Sequence, residues 1–160
     1  MTELVLAIVG VTGTLTAGIL GSLLHRQTQE RVERLQHHRR RTDQKAAALA
    51  QFAQGIIEYR RSQLVVWYQV VDESNKGNVI NADTAPSSVE MRRARSESWA
   101  SYYSVRLLWG EHEIISSAAA LLNKCSGLQR ATHEEQLGTE SDVIIGDLNA
   151  MTDRGRQLLA

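Results

Sequence analysis

Few residues in this chain are spaced for chemistry. Glu111-His112-Glu113 is the densest run of metal-ligand types. On a helix, consecutive side chains point about 100° apart, so these three cannot converge on one ion. No His stands four residues from another with a Glu between them, and no Glu-x-x-His pair occurs. Neither a zinc-protease helix nor a carboxylate di-iron bundle is therefore spelled out. Cys125 ends an apolar stripe with only Lys124 beside it. A thiol nucleophile wants a basic setting, and this one reads as buried and inert. Phosphate-loop, G-x-S-x-G, G-x-G-x-x-G and C-x-x-C motifs are absent. The reading is a protein that is not an enzyme, with no catalytic, metal or cofactor residue to name.

Two patches speak of binding instead. The first is QHHRRR, with Arg39, Arg40 and Arg41 following Arg31 and Arg34. Such a basic patch suits a solvated stalk, anionic lipid heads or nucleic acid. The lipid option is limited by reach. Continued straight from Leu24, a helix puts Arg40 about 24 Å beyond a membrane span, against a Debye length of about 8 Å. The second patch is aromatic: Trp67, Tyr68, Trp99, Tyr102, Tyr103 and Trp109. Trp99, Tyr103, Leu107, Gly110 and Ile114 trace one helical stripe, read as core. Tyr102 and Trp109 lie beside it, and if exposed they form an anchor for a partner.

The elements that must position these patches are helical. Pro averages about 5% of residues, so roughly eight would be usual; this chain of 160 has one, Pro86. That favours long uninterrupted helices. From Thr28 to about Val71 nothing breaks a helix, and apolar steps of three and four run through Leu49, Phe52, Ile56, Tyr59, Leu64, Trp67 and Val71. Packing is expected to start near Ala46, after an exposed stalk. Asp72 to Ser88 is loop chemistry, either mobile or partner-binding. Ser87 with Glu90, and Thr132 with Glu135, have capping-box spacing. The first box opens a helix predicted to run unbroken to Gly127. The second opens a last helix with Leu137, Ser141, Ile144, Leu148, Met151, Gly155 and Leu158 at alternating steps of four and three.

Leu4 to Leu24 carries no charge. As a helix it would be about 31 Å long, close to the roughly 30 Å hydrocarbon core. We read it as a transmembrane helix. A cleaved signal peptide would want a basic start and a shorter apolar run. Arginines follow the run and only Glu3 precedes it, so the N-terminus is expected outside and the remainder in the cytoplasm. A lone Cys fits a reducing compartment. Gly10, Thr14, Gly18 and Ser22, with Gly13, Ala17 and Gly21 beside them, form small-residue rows suited to self-association in a bilayer. The expected organisation is all-α: a transmembrane anchor at 1–25, a basic stalk at 26–45, and a cytoplasmic three-helix bundle at 46–160 with a loop at 72–88.

The 18 Lys+Arg balance the 18 Asp+Glu, but unevenly. Residues 25–61 carry +5 and residues 127–160 carry −3. Fifteen Arg against three Lys, with 17 Ala, suggest a GC-rich genome. The layout of MTELVLAIVGVTGTLTAGILGSLL, a basic stalk and Ala-rich helices resembles small membrane-anchored proteins of actinobacteria. Some of these are carried on conjugative plasmids and are associated with transfer or intermycelial spread. That resemblance lies in layout, and no functional residue carries over from it. The leading expectation is a non-catalytic, membrane-anchored scaffold that self-associates and presents its bundle to a protein partner. The alternative is an accessory membrane component of a plasmid-transfer or spread apparatus, its basic stalk contacting nucleic acid or anionic lipid.

Overall fold

The computed structural model describes the backbone from Thr2 to Ala160 and the side chains of residues 36–160. The chain divides into two compact units, residues 1–41 and residues 42–160. Four α-helices make up the described residues: α1 (Thr2–Asn75), α2 (Ser88–Leu108), α3 (His112–Gly127) and α4 (Glu134–Leu159). A single 3₁₀ turn, Leu128–Arg130, links α3 to α4. The all-α expectation holds. No helix among the described residues is long and apolar enough to cross a membrane. The run read as a transmembrane helix, its small-residue rows, Arg31 and Arg34 all lie outside the described side chains.

Within residues 42–160 the helices run up, down, up and down. Lys45, Gly55 and Gln69 of α1 lie beside Glu111, Ser98 and Ser87 respectively. Arg60 meets Ser141, and Leu49 meets Gly155. This is an up-down-up-down four-helix bundle, and it corrects the expected three. The helix foreseen from 87 to 127 turns back at Trp109-Gly110-Glu111, where Trp109 and Glu111 adopt extended backbone. A straight helix could not return Ile114, Ala118, Leu121 and Cys125 onto the same core as Met91 and Val105; the reversal does so.

The core starts at Ala48 and Leu49 and continues through Phe52, Ile56, Tyr59, Val66 and Trp67 of α1. Burying an Ile or Phe side chain contributes about 1.5–3 kcal/mol. Gln63 sits in this line as well. Its Nε2 donates to the Tyr59 hydroxyl at 3.0 Å. The Ser126 hydroxyl donates to the Leu122 carbonyl, so Tyr59 donates to Ser126 Oγ at 3.1 Å. The Gln63 Oε1 is buried without a partner. On α4 the buried line is Leu137, Ser141, Ile144, Leu148, Met151 and Gly155, as the spacing predicts. Leu158 departs from it and is exposed, while Leu159 packs on the core.

The caps differ from the sequence expectation. Ser87 flanks α2, but its side chain makes no cap bond; the hydroxyl goes to Gln69 Oε1 on α1. His133 flanks α4, and the Thr132 N–H donates to Gln136 Oε1 at 3.1 Å, where a bond to Glu135 was expected. The connection before α2 is fastened as well. Asn81 Oδ1 accepts from the N–H groups of Asp83 and Thr84, each at 3.0 Å, and Ala85 is buried. Gly77 supplies the positive φ (82°) that ends α1.

Candidate functional site

The bundle closes at one end around Trp109. Its indole N–H donates to the Lys45 carbonyl at 3.0 Å. The Lys45 ammonium stands 5.0 Å from the ring centroid and pairs with Glu111 at 2.9 Å. That bond holds the Glu111 carboxyl below its ordinary range. A Cβ on Gly155 would collide with Leu49 and touch the Trp109 ring, so α4 passes close by because residue 155 has no side chain. At the opposite end, the Trp67 indole donates to the Ala131 carbonyl at 2.8 Å.

This geometry decides the fate of the residues singled out above. Trp109 is 2% exposed and Tyr102 is 8% exposed. Neither ring is on the surface as the partner anchor that the sequence suggested. Burial of Trp109 follows from its bond to α1, and burial of Tyr102 from its place beside Ser98, Ser101 and Val105 on the inner face of α2. Arg39, Arg40 and Arg41 are exposed on α1 in the first unit. Glu111 and Glu113 pair in different directions, with Lys45 and with Arg154. Among the described residues no three His, Cys, Asp or Glu side chains are grouped to hold a metal ion. Burial pushes the Cys125 thiol up to about 12, so it stays protonated at neutral pH and is a poor nucleophile.

The structure brings to the surface what the sequence reading put inside. Tyr103 is 52% exposed and Leu107 85% exposed, while Trp99 is half-buried between them and the core. The Trp99 ring meets Tyr102 edge-on at 5.6 Å and lies 6.2 Å from Tyr103. The cause is the crossing of α1 and α2. Gly55 faces Ser98 and Ser101, and the Ser98 hydroxyl donates to the Gly55 and Ala94 carbonyls, both at 2.8 Å. That close approach admits serines, while Trp99 stays at the edge and Tyr103 and Leu107 face outward.

The outward face of α2 carries arginines as well as rings. Arg92, Arg95 and Arg106 are all exposed. Arg92 donates to the Asp83 carbonyl at 3.3 Å. Sequence reasoning did not single these arginines out. The available signal was their recurrence on one side of α2, with Glu90 and Glu97 on the other. Between α1 and α2 runs a groove of about 490 Å³ whose lining includes Glu58, Arg61, Glu90 and Arg93. There Arg93 is matched by Glu97 at 2.9 Å, so this side of α2 is charge-balanced.

No curated protein and no solved structure matches the chain. Residues 46–159, which hold the core of the bundle and more than half of the chain, match the family described as KilB plasmid transfer protein, and the chain belongs to that family.

Proposed function

We propose that this protein is a non-catalytic accessory component of plasmid transfer, held at the membrane by residues 4–24 and presenting its four-helix unit to other parts of the apparatus. The family match over residues 46–159 carries the reading. The uncharged run from Leu4 to Leu24 and the arginines that follow it support an anchor with the bundle on the cytoplasmic side. The thiol of Cys125, held protonated, fits a role without covalent chemistry. Such a module works by position: anchoring raises the local concentration of whatever the bundle binds. Self-association through the small-residue rows would multiply that effect.

The test is a mating assay with a plasmid encoding this protein. Deleting codons 46–159 should lower transfer or spread, whereas Cys125→Ser should leave it unchanged. Transfer at the parental frequency after the deletion would defeat the proposal. Flotation of the full chain with membranes, lost when residues 4–24 are removed, checks the anchor separately.

A further inference from the structure

We propose that the outer face of α2 is a docking surface for single-stranded DNA, with Arg92, Arg95 and Arg106 meeting phosphates and Trp99 and Tyr103 offering their rings to unpaired bases. This deepens the reading of a plasmid-transfer component by naming its partner class and the surface used.

At 100° per residue, Arg92, Ser96, Trp99, Tyr103 and Leu107 fall within about 40° of one line along α2. Arg95 and Arg106 lie about 60–80° to one side of that line. Glu90 and Glu97 point roughly 120° or more away from it, so no α2 carboxylate shares the face. Arg92 and Arg106 are about 21 Å apart along the axis, a length over which an extended strand presents several phosphates. Non-specific single-strand binders combine cations that track the backbone with aromatic platforms for bases. Arginine supplies planar, phosphate-matching donors, and Tyr103 is half exposed beside the Trp99 ring.

Two other occupants fit less well. A second copy docking by the same face would bring six guanidinium groups together with no α2 carboxylate among them, which a self-complementary contact does not favour. A bilayer offers anionic headgroups to the arginines but no unpaired bases to stack on the Tyr103 ring.

The experiment uses the full chain in neutral detergent micelles and a fluorescent 30-nucleotide DNA strand, with binding followed by anisotropy across a salt series. The parent should bind with an affinity that falls steeply as salt rises. Arg92→Gln, Arg95→Gln and Arg106→Gln together should lower the log–log salt slope by about 2, at roughly 0.7 per lost phosphate contact. The triple Lys replacement should largely restore the slope, because charge is kept. Tyr103→Ala should weaken binding roughly five- to hundredfold. An unchanged slope in the Gln triple variant overturns the proposal. So does a slope lost instead with Arg39, Arg40 and Arg41→Gln, which would place the contact on the basic segment of α1. Loss of binding only to phosphatidylglycerol vesicles would make the face a lipid surface and overturn it too. Circular dichroism confirms that the exposed-site variants stay folded. The mating assay is independent: normal transfer after deletion removes the proposed function, while transfer that depends on the bundle without DNA binding removes only this inference.

Discussion

α2 and α4 both carry large side chains at helical spacing, yet they use them in opposite ways. On α4 the line from Leu137 to Met151 faces the core. On α2 the inner line is Met91, Ser98, Ser101, Tyr102 and Val105, while Tyr103 and Leu107 face out. Spacing identifies residues that share a face; the space offered by the neighbouring helix decides which face turns inward. Opposite Gly55 there is room for Ser98 and Ser101 and not for an indole. α2 therefore gains close approach to α1 at its serines and leaves Tyr103 and Leu107 at the surface.

The largest test is Trp109, the large ring buried just past the end of α2. Trp109→Ala should destabilise the bundle by about 3–5 kcal/mol, seen as a large fall in the urea midpoint with loss of helicity. A small change would mean that the Lys45–Trp109–Glu111 closure is not structural. Next, Ile144→Ala on α4 should cost about 2–5 kcal/mol, whereas Leu107→Ala on α2 should stay within about 0.5 kcal/mol. Equal costs in chemical denaturation would erase the difference between the two helices. Ser98→Leu forces bulk into the tight crossing and should cost about 1–3 kcal/mol, read as a lowered melting temperature. If it stabilises instead, the crossing has slack.

The smallest effect concerns Glu111. Its hydrogen bond from Lys45 lowers its folded-state affinity for a proton below that of the ordinary carboxyl at 4.5. The stabilisation is fully present above that value and fades as pH falls through the lowered one. Glu111→Gln should flatten this acid limb of the stability profile while changing little else; an identical acid limb in the variant would remove Lys45–Glu111 as its source.

Much of the bundle was legible in residue spacing. Leu49, Phe52, Ile56, Tyr59 and Trp67 of α1 are buried as the periodicity required. So are Ile114 and Cys125 of α3, and six positions of α4. The reversal at Trp109–Glu111 was not, because Gly110 is its only local mark and a single Gly is tolerated within helices. Ser87 stands at the start of α2 as its spacing required, but where its polar group bonds was not legible. Ser87 is drawn to Gln69, a residue 18 positions away that no local motif includes. Gln63 sits on the apolar line of α1 and was passed over because pattern reading seeks apolar side chains. The candidate surface was least legible of all. Tyr103 and Leu107 were read as core, since nothing local tells a stripe meant for a neighbouring helix from one meant for solvent or a ligand.

The alternation of the four helices gives the bundle two poles of unlike character. At one, the beginning of the second unit, the tight reversal after α2 and the last turns of α4 gather around Trp109 and Gly155. At the other lie both irregular connections, where the Trp67 indole of α1 donates to the Ala131 carbonyl. A tag placed after Ala160 therefore shares its pole with Lys45 and Trp109. The turn at Lys76–Val79 stands at the far pole, and its side chains are exposed. An epitope inserted there would report on the bundle from the side away from Trp109 and from the end of α4.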